Sequence, residues 1–512
     1  MRQYEMCEIT VHGKTEENSW AMSAPEAVFA CGDSIHKVKG FAAGEGTYKI
    51  RFLPEKAGIW NYKITGVVQG EGTVEVEPAP EESHGKVSAE DCHFVYQDGT
   101  YYYPFGTTVY ALVHQTEELY EETMHTLENA PFNKVRMCVF PKHYDFNHNE
   151  PRYYAFEKNE EGNWDVNRPC YAYWEMLEEA ILRLNSMRIQ CDLILFHPYD
   201  RWGFSKFTEE EDLIYLDYAI RRLSAMPNVW WSMANEYDLV RTKTQEHWED
   251  IEEYLAENDP YRHLTGNHNC FRFWDHTRKN ITHASLQTKV LPRVAYWRTI
   301  YKKPVCIDEC CYEGNIMHTW GSISGREMTY RFWRTVARGG YCTHGETFYS
   351  DDEVLWWAKG GKLKGESPKR IAYLKEIVDA LPGPIEPVCG GVEEMLFQTP
   401  EELEKRAAMM PPRYAPVVRT IGSVDKADLQ ALVESELVYS GRVGEEAYIT
   451  FYDLRTCVKS EMQLPEDKKY KLELIDIWNM TRETLKEGVS GKVEFEMPGK
   501  EGYAVLATRE SE

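Results

Sequence analysis

Apolar and polar residues alternate with a period of two over the first 85 residues. "YEMCEITVHG", "GTYKIRFLPEKAGIWNYKITG" and "GTVEVEPAP" are short alternating runs separated by turn residues, with no helical period among them. This pattern predicts a β-sandwich over residues 1–85, left through the linker-like "PAPEESHGK". From residue 86 the period changes. "YYYPFGTTVYA", "KVRMCVFP", "CDLILFHP", "NVWWSMANE", "HLTGNHN", "ITHASLQ", "PVCIDE" and "YCTHGETF" read as eight strands. Between them lie segments whose apolar residues recur every three or four positions, such as "YAYWEMLEEAILRLNSM" and "TEEEDLIYLDYAIRRLSAM". Eight such strands predict a (β/α)₈ TIM barrel over residues 86–385, within the ~250 residues or more such a barrel uses. An open doubly wound sheet would want a glycine-rich phosphate turn after its first strand, and "GTTVYA" is not one. From residue 386 the helical period is lost again. "EAYITFYDLR", "YKLELIDIW", "GKVEFEMPG" and "YAVLATRE" predict a second β-sandwich over residues 386–512.

Composition narrows the function classes. A formal net charge of −25 excludes a nucleic-acid footprint and disfavours an anionic membrane surface. No apolar run reaches membrane-spanning length, and "MRQYEMCEITVHGK" has no signal-type apolar core. Thirteen scattered cysteines, an odd number, fit reduced thiols. The expectation is a cytoplasmic protein with no membrane partner; a homo-oligomer is left open. Fifteen Trp and 33 Tyr exceed what cores need, and stacking on sugar rings is one use for them.

In a barrel of this type chemistry sits at the C-terminal strand ends. Two glutamates follow apolar strands directly: Glu236 after the fourth and Glu309 after the seventh. Two carboxyls across one mouth are what glycosidic cleavage uses, one to protonate the leaving oxygen and one to attack the anomeric carbon. Glu236 has apolar neighbours, which suits a raised pKa and the acid role. Glu309 needs a cation nearby, and Arg136 in mid-strand would otherwise be an unpaired buried charge.

The Asn-Glu pair ending strand four, the Glu ending strand seven and "VRM" in strand two resemble the clan A glycoside hydrolases. "YYYPFGTTVYAL", "GNHNCFRFWDH", "THASLQ" and "LWWAKGGKLKGESPKRIAYL" look like the apiosidase-like barrel of family 140 relatives. The resemblance implies a retaining double displacement with Glu236 as acid/base, Glu309 as nucleophile and Asn235 as partner of the sugar 2-hydroxyl. Characterised apiosidases carry Asp at the acid position where this chain has the Asn235-Glu236 pair, and the sugar is left open among a pentose such as apiose, xylose or arabinose and a galactose-type residue.

Other strand-end residues join the candidate substrate site: His197, His268, His344 and Glu346, with Trp356 as a sugar-stacking ring. Asp308 is expected to be structural and Glu313 is a weaker rival nucleophile. Neither HExxH nor paired CxxC occurs, so no metal and no cofactor are expected. Long insertions after strands two and eight favour a pocket for one terminal sugar, hence an exo-acting enzyme on plant-derived oligosaccharides or glycosides. The alternative is a non-catalytic carbohydrate-binding protein on a barrel scaffold, against which two strand-end glutamates argue.

Overall fold

The computed structural model describes residues 1–16 and 19–510. Its N-terminal segment holds two antiparallel sheets. One runs in the order Cys7–His12, Thr47–Phe52, Phe41–Gly44; the other Ser34–Lys39, Pro25–Cys31, Gly58–Gly66, Gly70–Val76. The period-two pattern explains them: in Pro25–Cys31, Ala27 and Phe29 are buried while Glu26 and Val28 are exposed. Phe29 stacks on Phe52 with ring centroids 4.2 Å apart.

Eight parallel strands follow: β1 (Phe105–Thr108), β2 (Lys134–Cys138), β3 (Gln190–Phe196), β4 (Val229–Ala234), β5 (Thr265–Gly266), β6 (Ala284–Gln287), β7 (Val305–Glu309) and β8 (Tyr341–His344). Their order is 5-4-3-2-1-8-7-6. The weak β5 pattern corresponds to a strand of two residues. Closure onto β6 is made by the Thr282 N–H on the Thr265 carbonyl (2.9 Å) and by the Asn269 side chain, which bonds both backbone groups of Gln287 at 3.1 Å. A side-chain amide thus substitutes for missing ladder pairs. Along the chain these strands alternate with helices α1 (Glu117–Glu128), α2 (Tyr171–Ser186), α3 (Glu209–Leu223), α4 (Gln245–Asn258), α5 (Val294–Tyr301), α6 (Gly325–Val336) and α7 (Ser367–Asp379). A small antiparallel sheet, Val87–Glu90, His93–Tyr96 and Tyr101–Tyr102, plugs the N-terminal end of the barrel. Its Phe94 ring lies 5.0 Å from both Trp230 of β4 and Tyr341 of β8.

The two N-terminal sheets and the eight barrel strands belong to one compact unit, Met1–Thr288 with Tyr301–Met328 and Tyr341–Lys369. Within it, Glu178 of α2 is buried between Arg51 of the first sheet (2.7 Å) and Arg222 of α3. Burial alone would raise the Glu178 carboxyl, but Arg222 and Arg51 outweigh it and hold it below the usual carboxylate range. Glu178→Ala strips Arg222 of its carboxylate, and breaking a buried pair this way costs ~3–5 kcal/mol. Urea denaturation of the variant should show that loss near neutral pH. Because the folded pKa is depressed, the contribution is present above the unfolded value of about 4.3 and disappears as pH falls through the folded one. The gap between wild type and variant should therefore narrow in acid.

The second unit comprises Lys289–Ile300, Thr329–Gly340 and Arg370–Glu512. It contains a six-stranded antiparallel sheet, from Glu386–Pro387 and Tyr439–Val443 through Tyr503–Arg509 to Thr481–Val489, and the pair Lys459–Gln463 with Lys492–Glu496. The expectation that helices vanish after residue 386 is corrected here. Residues 392–436 form four helices: Val392–Met395, Pro400–Met409, Ala415–Ser423 and Lys426–Glu436. "TPEE" starts the second of them as a capping box, with Thr399 and Glu402 each satisfying the other's backbone N–H and Pro400 in the first turn. Leu403, Ala407, Val418 and Met395 form its small core. Among the described residues no helix is long and apolar enough to cross a membrane.

Candidate active site

β4 is buried along its whole length and then turns abruptly. Glu236 adopts the left-handed conformation (φ 55°, ψ 56°) before the one-turn helix Tyr237–Leu239. Such backbone in a non-glycine residue costs of order 1–3 kcal/mol and is retained where surroundings fix it, often at working sites. Here the Tyr237 N–H bonds the His268 carbonyl at 2.9 Å, and the Glu236 N–H faces His268 Nδ1 at 3.4 Å. The Glu236 side chain is 5% exposed as a residue and accepts from the Tyr199 hydroxyl.

Glu309, at the end of β7, is 13% exposed and accepts from the Tyr110 hydroxyl. Arg136 Nη1 lies 3.7 Å from its Oε1 and His268 Nε2 3.8 Å. Burial and then the Glu236 charge push the Glu309 carboxyl up, while Arg136, Lys142 and the Tyr110 bond pull it down. Asn235 Oδ1 lies 2.9 Å from the Tyr110 hydroxyl and 3.4 Å from Arg136 Nη2. His268 accepts on Nδ1, so the proton sits on Nε2. Burial and Arg136 drive its pKa well below the usual histidine value, which keeps the ring neutral. Five sequence-predicted residues, Glu236, Glu309, Asn235, Arg136 and His268, are thus drawn into one cluster.

An ionic layer supports them. Lys134 binds Asp308 (2.6 Å) and Asp192 (3.2 Å), and Arg136 Nε lies 3.4 Å from Asp192. Ser285 and Thr343 hydroxyls donate to Asp308 at 2.6 and 2.8 Å. Burial opposes ionisation of Asp308, but Lys134 and Arg136 prevail and hold it well below the carboxylate range. Asp308 therefore braces β2 against β7 from beneath the site.

Three members escape sequence reasoning. Lys142, in the insertion after β2, is buried with Nζ 3.4 Å from the Tyr110 ring centroid, 4.4 Å from Tyr199 and 4.8 Å from Tyr144. It stands on the faces of the two phenols that hold the two glutamates. Burial raises both phenols far above the usual tyrosine value, reinforced by Glu309 at Tyr110 and by Glu236 at Tyr199, so both stay hydrogen-bond donors. No local pattern marks "PKHY" or "HPYD" for this role.

The remaining candidates are occupied elsewhere. His197 is buried with Nε2 on the Phe140 carbonyl (3.1 Å), and burial and Lys142 push it to about 4. Trp356 is not a sugar platform: it is buried, its indole N–H donating to Thr107 at 2.8 Å. Trp357 is the tryptophan that packs beside Tyr144 (4.7 Å) and Tyr312 (6.0 Å). His344 stacks on Phe132 and meets Thr107 at 3.1 Å. Glu346 takes the N–H groups of Lys364 (2.7 Å) and Gly365 (3.0 Å); Glu313 takes those of Glu366 (2.7 Å) and Ser367 (3.1 Å). Both carboxylates cap the approach to α7, which favours anions at its N-terminus. Gly365 is required there, since a Cβ would collide with both. Glu313, His344 and Glu346 form a buried group whose ligand atoms lie within 4.8 Å of one another, as a metal site would need. With every carboxylate oxygen already taking a backbone N–H, the group reads as a helix cap.

A family model described as the apiosidase-like catalytic domain matches residues 88–382. Two domains of unknown function match residues 1–66 and 436–508. A candidate glycoside hydrolase from Bacteroides vulgatus is 34% identical, covering 99% of either chain with a TM-score of 0.83. A family 5 glycoside hydrolase from the same organism is 16% identical over 83% of this chain and 93% of its own, with a TM-score of 0.58. Another glycoside hydrolase is 14% identical over 85% and 99%, TM-score 0.59. These last two share the fold alone. No curated protein matches the chain.

Proposed function

Because the chain belongs to the apiosidase-like catalytic-domain family, we propose that it is a retaining glycoside hydrolase that removes a terminal sugar from oligosaccharides or glycosides. One observation carries this reading: two strand-end glutamates, one buried and one 13% exposed, each held by its own tyrosine hydroxyl, share His268 and Lys142 as neighbours. Glu309 attacks the anomeric carbon while Glu236 gives its proton to the glycosidic oxygen, which leaves as an alcohol. Water then attacks the glycosyl-enzyme, Glu236 takes the proton, and Glu309 is released. The neutral His268 offers its Nε2–H to the sugar, and Asn235 meets the 2-hydroxyl. The insertion after β2, with its antiparallel pair Phe156–Lys158 and Trp164–Pro169, supports a pocket closed around one terminal residue.

A panel of aryl pyranosides and furanosides identifies the sugar. Proton NMR of the first-formed product should then show the anomer of the substrate. An inverted first product would instead make Glu309 a base acting through water, with carboxyls ~6.5–9.5 Å apart. Lys142 supplies a pH test. Its positive charge lowers the Glu309 carboxyl, so Lys142→Met raises that pKa and moves the acid limb of kcat/KM to higher pH. Lys142→Arg, which keeps the charge, should leave the limb near its wild-type position. An unmoved limb in both variants would sink the electrostatic role.

A further inference from the structure

Phe271 is 83% exposed, and Asp238 fixes the backbone that carries it. A solitary exposed aromatic is ordinary on a protein surface, but the backbone beneath this one is clamped. Asp238, two residues beyond Glu236, spends both oxygens on three successive backbone N–H groups: Cys270 at 2.6 Å, Phe271 at 2.8 Å and Arg272 at 2.8 Å. Arg272 Nε then donates to the Tyr237 hydroxyl at 3.2 Å, tying the far side of the loop to the turn that carries Glu236. On the near side, Gln287 Nε2 reaches the Cys270 sulfur at 3.8 Å, and burial, then the charge of Glu236, raise the Cys270 thiol above its usual value. A solvent-facing ring on a fixed backbone therefore stands one residue from a thiol that feels the charge of the proposed acid.

We infer that Phe271 is the stacking platform for the ring of the leaving group. The inference rests on Glu236 being the proton donor. A proton donor must sit at the bond to the leaving oxygen, so groups flanking Glu236 outside the barrel face the departing half of the substrate. The cleaved sugar lies instead toward Glu309, Arg136 and His268. An aromatic face binds the apolar face of a pyranose or aryl ring, and on a fixed backbone the ring has only two side-chain torsions to lose in doing so. Asp238 is then a positioning residue that pre-orders the platform.

The test compares wild type, Phe271→Ala and Phe271→Trp on three substrates with the same glycone: a glycoside with a sugar leaving group, an aryl glycoside and a glycosyl fluoride. Fluoride leaves the platform uncovered. The alanine variant should lose about 3- to 10-fold in kcat/KM, mainly through KM, on ring-bearing leaving groups, with fluoride hydrolysis unchanged and tryptophan restoring activity. Loss confined to the sugar substrate assigns a sugar ring to the platform; loss confined to the aryl substrate assigns an aryl aglycone. Equal loss on the fluoride, or no loss on any substrate, overturns the platform while leaving hydrolysis intact. A wild type inert toward all three removes the reading of Glu236 and the platform with it.

Discussion

Glu309→Ala is expected to abolish turnover of natural substrates, lowering kcat/KM by on the order of 10⁴-fold or more, because no bond to the anomeric carbon can form without it. The variant should still fold: the residue is at the mouth, and the layer beneath is built from Asp308, Asp192 and Lys134. Azide should partly restore activity on an activated aryl glycoside by entering the space the carboxylate leaves. The product should be a glycosyl azide of configuration opposite to the substrate, because azide attacks from the nucleophile's face. The same treatment of Glu313→Ala should yield no azide, since that carboxylate is committed to the backbone of Glu366 and Ser367. Loss of less than tenfold in Glu309→Ala, or azide chemistry from Glu313→Ala, would relocate the nucleophile.

The second large effect concerns Glu236, and its size depends on the leaving group. Glu236→Ala should slow glycosides with poor leaving groups by ~10²–10⁴-fold, the usual worth of general acid catalysis. Aryl glycosides whose phenolate leaves readily need no proton, so their glycosylation step should lose far less. The basic limb of the pH profile, which reports loss of the acid's proton, should vanish. Azide here should give a glycosyl azide with the substrate's own configuration, because it attacks the glycosyl-enzyme in place of activated water. Asn235→Ala should by contrast weaken every substrate alike, since a bond to the 2-hydroxyl that strengthens in the transition state is blind to the leaving group. Equal losses for Glu236→Ala on good and poor leaving groups would mean that another group donates the proton.

Much of this site was legible in the one-dimensional pattern. The change from period two to strands alternating with helical segments marks the barrel, because burial imposes periodicity on each element separately. A glutamate at the end of an all-apolar strand, and an arginine inside another, stand out because buried charges are costly unless they are partnered or used. Glu236, Glu309 and Arg136 could therefore be named without coordinates. Near the C-terminus the capping box at Thr399–Glu402 is equally local, yet the expectation of strands alone passed over it and missed the four helices of residues 392–436.

What the tertiary structure alone decided are relations between loops. Lys142, Tyr110 and Tyr199 come from three different strand ends, and nothing in their separate neighbourhoods links them to one another. Their partnership exists only once β1, β2 and β3 are side by side. The same holds for Trp356 and Trp357, adjacent residues of which one enters the core and the other meets Tyr144, a choice set by the short helix Trp356–Lys359. Glu346 and His344 resembled site residues because they end a strand. Their side chains instead serve the backbone before α7 and the Phe132 ring. Sequence determines which residues must be buried or exposed, since that is paid locally in solvation. Which buried groups face one another depends on register and loop path, and only the assembled barrel settles those.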